Sequence, residues 1–168
     1  MAIVRQLNDE AGVAMIEALI AIVIISFGLL GLAGLQLAGV RTNQVAYYRS
    51  VATTQAYDMA DRMRANMAGV NGGSYNAISV SIPARPSCSN PFVVGVGCAP
   101  AVMATYDAYA WLTENARLLP GGSGTVTRQA NSNAFDIIVQ WTEKCSPGEA
   151  SCSAAGNLTR SFTTRFVP

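Results

Sequence analysis

The sequence predicts an α+β fold, in which a long N-terminal α-helix, transmembrane in its first half, packs on a small antiparallel β-sheet head with disulfide-stapled loops. Three observations in the 168-residue chain support this prediction. An uncharged run from Ala18 to Leu35 is 18 residues long, about the length that crosses a bilayer. Apolar residues then keep helical spacing as far as Asn66. Alternating segments that are typical of strands occupy the C-terminal part.

The apolar run begins directly after a single carboxylate, Glu17. An ionised carboxylate inside a membrane span costs roughly 2.5 to 3.5 kcal/mol on insertion scales, so such a residue is normally functional and has a specific partner. We therefore expect a membrane span within residues 13–40, and we expect Glu17 to require a cation.

The helical pattern continues beyond the span without a proline. Its apolar stripe consists of Val45, Tyr48, Ala52, Ala56, Met59 and Met63. The glycine-rich segment from Asn66 to Gly73 contains the stop signals. We expect one continuous amphipathic helix that ends at Asn66.

The remaining head contains a second helix and several strands. Ser74 to Met103 is predicted to be a loop region with one short strand, Ala77 to Ile82. Ala104 to Leu119 returns to helical spacing, with Tyr106, Tyr109, Ala110, Leu112, Ala116 and Leu119 as expected apolar contacts. Three strand candidates follow: Gly124 to Gln129, Ala134 to Thr142 and Leu158 to Phe166. We expect them to form an antiparallel sheet.

The four cysteines fall into two close pairs, and three connectivities are possible from the sequence. Pairing of sequence neighbours is the most economical, because each bridge then closes a loop with little apolar surface. We expect Cys88–Cys98 and Cys145–Cys152 in an exported domain. Neither pair has C-x2-C spacing and the chain has no histidine, so no metal site is predicted.

Composition argues against catalysis and nucleic-acid binding. Charged residues make up 12% of the chain and the formal net charge is +1, so we expect no nucleic-acid partner. With no histidine and no nucleophile or phosphate-loop motif, we expect neither an enzyme nor a cofactor. The scattered head carboxylates are interpreted as solvated surface groups: Asp107, Glu114, Asp136, Glu143 and Glu149.

The string from Gly12 to Leu19, GVAMIEAL, resembles the prepilin signal of type IV pilins and type II secretion pseudopilins. That signal has a glycine before the cut, an apolar first mature residue and a glutamate at the fifth mature position. If Val13 is the first mature residue, Glu17 is the fifth. The resemblance implies that a prepilin peptidase cleaves after Gly12 and N-methylates Val13. It also implies that Glu17 pairs with the amino terminus of a neighbouring subunit, while Ile16 and Leu19 contribute to apolar helix packing.

Three further stretches resemble PilV-type minor pilins, which are type IV pilus modification proteins. They are residues 26–36 (SFGLLGLAGLQ), 60–66 (ADRMRAN) and 119–124 (LPGGSG). This resemblance implies a prepilin leader at 1–12, a transmembrane and assembly helix at 13–40 and a periplasmic pilin head at 41–168. It implies pilus assembly or priming, twitching motility and adhesion, first at the inner membrane and then in the filament. The implied partners are the peptidase, other major and minor pilins, the inner-membrane assembly machinery and the membrane.

Two alternatives remain open at this level. The prepilin signal is shared with minor pseudopilins of type II secretion. A pilus-tip adhesin is the second alternative, because the loop from Cys88 to Cys98 carries four apolar side chains that a partner could contact: Phe92, Val93, Val94 and Val96.

Overall fold

The computed structural model describes residues 9–87, 98–145 and 151–168, with side chains from residue 13 onward. In chain order, the elements are α1 (Asp9–Ala65), α2 (Met67–Asn71), β1 (Ala77–Ile78), α3 (Pro100–Leu118), β2 (Ser123–Arg128), β3 (Phe135–Lys144) and β4 (Asn157–Phe166). The predicted α+β fold class is confirmed. The chain divides into two compact units, Met1–Gln44 and Val45–Pro168.

Helix α1 ends at Ala65, one residue before the predicted end. Asn66 leaves helical geometry, with φ −119° and ψ 54°, and caps the short helix α2. Its Oδ1 accepts a hydrogen bond from the backbone N–H of Gly69 at 3.2 Å. The first backbone N–H groups of a helix have no carbonyl partner within that helix. The Asn66 side-chain oxygen accepts from one of them, which explains why a new helix begins here.

Helix α3 begins at Pro100, four residues before the predicted start, so the predicted loop was too long. Proline suits the first turn of a helix because its fixed φ is helical and its missing N–H would have no partner there. The helix ends at Leu118, where the N–H of Leu119 still bonds to the carbonyl of Asn115 at 3.0 Å. Pro120 follows and cannot continue the helix.

The described strands form one antiparallel sheet with the order β1-β2-β3-β4. The register pairs Val126 with Ile137, and Val139 with Phe162. Strand β1 stops at Ile78, four residues before its predicted end, because the chain bends at residues 80–81. Strand β4 pairs with β3 over its whole length and forms one edge of the sheet.

The core lies between the sheet and the two long helices of the head. Alternate residues of β3 are buried on one face, as a half-buried strand requires. The main members are Ala52, Ala56, Met59 and Met63 from α1, Trp111 and Leu112 from α3, and Val126, Phe135, Ile137, Val139, Trp141 and Phe166 from the sheet. The four α1 members confirm that part of the predicted apolar stripe.

The predicted contact face of α3 was partly wrong. Leu112 and Leu119 are buried as expected, but Ala116 is exposed. The buried face instead includes two polar residues, Asp107 and Asn115. Hydrophobic spacing cannot detect a face that contains a carboxylate and an amide, so the pattern selected a neighbouring face.

Candidate functional site

The N-terminal segment from residue 13 to 40, called here the assembly segment, lies within α1 and exposes its side chains. Gly12 lies in the same helix, but its surroundings are outside the described side chains. Val13 is 67% exposed, and Ile16 and Leu19 are each 60% exposed. The three positions belong to the part of α1 that is apolar on all sides, which is typical of a segment surrounded by lipid or by other helices.

Length and hydropathy make the assembly segment compatible with a single membrane span. The most apolar 18-residue window has a mean hydropathy of 2.7 and none of it is buried in the molecule. Gly28, Gly31 and Gly34 follow at steps of three, and a Cβ at any of them would meet no atom within 4 Å. Their small size leaves room for another helix to approach.

Glu17 lies on the exposed surface of the assembly segment. Within residues 13–87, 98–145 and 151–168, no cationic side chain forms an ion pair with it. The next basic residue along the helix is Arg41, 24 positions later, which corresponds to about 36 Å at 1.5 Å per residue. Val13 lies four positions before Glu17 and therefore on the same helix face.

A second cluster, called here the polar junction, consists of Arg62, Asn66, Tyr75 and Asp107. Asp107 is 6% exposed and Tyr75 is fully buried. The Tyr75 hydroxyl donates to Asp107 Oδ2 at 2.5 Å, and Arg62 Nη1 donates to Asp107 Oδ1 at 3.5 Å. The junction therefore joins α1, the turn after α2 and α3 through one carboxylate.

Asn66 completes the polar junction. Its Nδ2 donates to Tyr75 Oη at 3.0 Å and to the carbonyl of Pro100 at 2.8 Å. Because the same side chain also caps α2, it fixes the start of two helices. Buried polar groups with all their partners specify one arrangement of the chain, and removing one partner leaves the others unsatisfied.

Burial controls the ionisation of the junction. Desolvation raises the pKa of the Asp107 carboxyl above its ordinary value, while the Tyr75 hydrogen bond and the Arg62 charge offset part of that rise. Burial and the bond to Asp107 also raise the pKa of Tyr75, so its hydroxyl remains a donor. Asp58 contributes a second ion pair to Arg62, with Oδ2 at 2.7 Å from Nε.

Two head carboxylates contradict the interpretation as solvated surface groups. Asp107 is buried, as described above. Glu143 is 9% exposed at its side chain and accepts from Trp141 Nε1 at 2.7 Å and from Arg160 Nε at 3.4 Å. Neither was recognised from sequence, because scattered positions along the chain do not reveal which carboxylates the fold brings against arginines.

Comparisons of the chain with protein-family models, with curated proteins and with solved structures found no match. Function is therefore inferred from the chemistry of the assembly segment and of the head. Among the described residues, no group of three or more His, Cys, Asp or Glu could hold a metal ion.

The stretch from residue 119 to 124 has a packing role that explains its glycines. The carbonyl of Pro120 accepts from both the N–H and the hydroxyl of Thr142, at 2.8 and 2.9 Å. A Cβ at Gly122 would overlap the backbone carbonyl of Asn115, and a Cβ at Gly124 would overlap the ring of Trp111. The absence of side chains here allows α3 to approach the start of β2 closely.

The two tryptophans of the head are buried. Trp111 is fully buried and its Nε1 donates to the carbonyl of Gln55 at 2.8 Å. Trp141 is 2% exposed and bonds to Glu143. Each ring therefore buries its apolar surface and still satisfies its N–H.

The head contains the expected Cys145–Cys152 disulfide. Cys98 is also disulfide-bonded, but its expected partner Cys88 lies outside the described residues. The Cys88–Cys98 pairing therefore stays a prediction, as does the adhesin interpretation of the loop between these cysteines.

Proposed function

We propose that this chain is a minor pilin of the type IV pilus class, cleaved after Gly12 and anchored in the inner membrane by the assembly segment. Its head would lie in the periplasm and later at the surface of the filament. The single observation that carries the proposal is Glu17. It is an exposed carboxylate without an ion-pair partner among the described residues, and it lies in the part of α1 that is apolar on every side.

Cleavage after Gly12 would create the partner that Glu17 lacks. The new amino terminus at Val13 would be the first positive charge before Arg41, and methylation would leave it charged at neutral pH. In the filament, Glu17 of one subunit would pair with the amino terminus of its neighbour. A pair in apolar surroundings is favoured because each charge alone carries the insertion cost of roughly 2.5 to 3.5 kcal/mol.

The same pairing would set the axial position of each subunit. Apolar packing has no direction, so side chains such as Ile16 and Leu19 would stabilise neighbouring helices without fixing their stagger. An ion pair between two defined atoms fixes it. This division of roles would account for a single charge in a segment that is otherwise uncharged.

Processing is tested by intact mass and N-terminal peptide analysis of membrane-extracted protein, with and without a co-expressed prepilin peptidase. We expect a chain that begins at N-methylated Val13 only when the peptidase is present. An uncut chain, or a cut beyond Leu35, would contradict the proposal and indicate a simple anchor or an ordinary secreted protein.

Assembly is tested separately with Glu17→Ala and Glu17→Gln, which remove the charge, and with Glu17→Asp, which keeps it. We expect all three chains to be cleaved, the two uncharged variants to be absent from sheared filaments, and the aspartate variant to retain partial incorporation. Normal incorporation of Glu17→Gln would rule out the ion pair.

The prepilin signal also fits a minor pseudopilin of type II secretion. Such a protein has the same kind of membrane anchor as a minor pilin but belongs to a secretion system instead of a pilus. Deletion of the chain distinguishes the two. Loss of piliation and twitching motility with normal exoprotein export supports the pilus. The reverse phenotype would assign the chain to secretion.

A further inference from the structure

A groove of about 450 Å³ lies between α1 and the edge strand β4. The groove is lined by residues of α1 and of the sheet: Arg49, Thr53, Trp141, Arg160, Ser161 and Phe162. Successive side chains of a strand point to opposite faces, so a groove that contacts three consecutive β4 residues reaches the edge of that strand. The groove is therefore continuous with the backbone edge of β4.

The outer edge of β4 presents backbone groups that are available for pairing. Strand β4 is ten residues long and lies beside β3 alone in the sheet order. In the described part of the chain, and with Arg160 set aside, residues 158–166 form backbone hydrogen bonds with β3 and with no other element. A long edge strand whose outer backbone groups are not paired with another strand is a template for an added strand.

The arginines at this edge differ in whether a described carboxylate pairs with them. In β4, Arg160 Nε lies 3.4 Å from Glu143 Oε2, and Arg165 Nε lies 3.2 Å from Asp136 Oδ1. Arg49 lies across the groove, and none of the described Asp or Glu side chains forms an ion pair with its guanidinium. From Arg41 to Pro168, the chain has ten basic and seven acidic residues.

The charges argue against a second copy of this chain as the occupant. The acidic side chains of the described head already have arginine partners, as in Asp61 with Arg64 and Asp136 with Arg165, so a second copy would bring no unpaired carboxylate from these residues to Arg49. A complementary occupant must therefore bring its own carboxylates.

We propose that the β4 edge and its groove bind an extended acidic segment of a partner protein, which adds to the sheet as a strand beside β4. Alternate side chains of that segment enter the groove between α1 and β4, where Arg49 faces them. Backbone hydrogen bonds supply affinity that is independent of sequence, and Arg49 selects carboxylates. This inference does not depend on the pilin proposal, since it concerns the head alone.

The test measures binding of a fluorescent ten-residue peptide that alternates glutamate and valine to the full chain in detergent. Three comparison peptides are used: one with lysine for glutamate, one with alternate backbone amides N-methylated, and one with the β4 sequence itself. The protein variants are Arg49→Glu and the matched control Arg85→Glu, which makes the same charge change at an exposed position outside the groove. Melting curves verify that both variants are folded.

We expect saturable binding of the acidic peptide and weakening by about tenfold or more in Arg49→Glu, with little change in Arg85→Glu. N-methylation should also weaken binding, and hydrogen exchange should show new protection in residues 158–166. Absence of saturable binding at about 1 mM peptide would overturn the proposal. An equal loss of peptide binding in both variants would attribute the effect to net charge and would contradict the proposal. Stronger binding of the β4 peptide than of the acidic peptide would identify a second copy as the occupant and would also contradict it.

Discussion

Tyr75 Oη donates a hydrogen bond to Asp107 Oδ2 at 2.5 Å, and both side chains are buried although 32 residues separate them in sequence. The pair holds α3 against the turn that follows α2. It is reinforced by Asn66, which donates to the same Tyr75 oxygen at 3.0 Å. Contacts of this kind fix one relative position of the helices, which apolar packing alone does not.

Replacing Tyr75 with phenylalanine keeps the ring and removes both hydrogen bonds. We expect Tyr75→Phe to lower the free energy of unfolding by roughly 1 to 3 kcal/mol, because Asp107 and Asn66 each lose a buried partner. Unfolding in detergent is followed through the fluorescence of the two buried tryptophans. Tyr57→Phe is the matched control, since Tyr57 is 53% exposed, and should change stability by no more than about 0.5 kcal/mol. Equal stability of the two variants would contradict the role of Tyr75.

The raised pKa of Asp107 makes stability depend on pH in a defined direction. The folded state binds the Asp107 proton more tightly than the unfolded chain, so this contribution is complete below the ordinary aspartate value. It is lost as pH rises through the raised folded pKa. The Asp107→Asn variant has no carboxyl group to titrate at this position. The pH dependence that comes from the other titratable groups is largely the same in both proteins and cancels when they are compared.

We therefore expect the melting temperature of the wild type, relative to Asp107→Asn, to fall between about pH 3 and pH 7. Thermal unfolding of both proteins across this range provides the measurement. A difference that rises with pH would mean that Arg62 and Tyr75 more than compensate for burial, and the assigned direction would be wrong.

A negative charge at position 66 should disrupt the polar junction. Asn66→Asp keeps the shape but replaces a donor with a carboxylate that faces the Pro100 carbonyl and the Tyr75 oxygen. We expect a loss of roughly 1 to 3 kcal/mol in unfolding free energy. Asn71→Asp, at an exposed position of α2, provides the matched control. A loss that is equal in both variants would attribute the effect to helix α2 rather than to the junction.

The sequence predicts the assembly segment because the relevant pattern is local. Glu17, the apolar run and the preceding glycine lie within a few dozen residues of each other, and a single helix keeps their order. Strands β3 and β4 were also predicted nearly to the residue, since alternation on a half-buried face is a local pattern. The predicted start of α3 lies four residues too late, because proline is common both in loops and in the first turn of a helix.

The polar junction could not be predicted in the same way. Arg62 and Asp107 lie 45 residues apart, and no local pattern links them. A signal was nevertheless present, because Asp107 and Asn115 share a helical face with Ala104, Trp111 and Leu112. A polar residue on the same helical face as large apolar residues indicates that it is buried with a hydrogen-bonding partner. A search for the most apolar face overlooks such a residue.

The close approach of Gly124 to Trp111 can be tested by a double-mutant cycle. In Gly124→Ala, the new Cβ would overlap the six-membered ring of Trp111 and lie 3.0 Å from the carbonyl of Ile138. We expect a loss of about 1 to 3 kcal/mol from overpacking. Trp111→Phe removes the ring atoms that the Cβ would meet, at the expense of the Nε1 bond to Gln55.

In the Trp111→Phe background, the alanine substitution should therefore be less destabilising by at least about 0.5 kcal/mol, a coupling typical of residues in contact. Unfolding followed by the fluorescence of Trp141, which is retained in every variant, measures all four proteins. Thr127→Ala, at an exposed position of the same strand, should show no coupling to Trp111→Phe. Strict additivity of Gly124→Ala with Trp111→Phe would show that the backbone of β2, and not the tryptophan ring, requires glycine at this position.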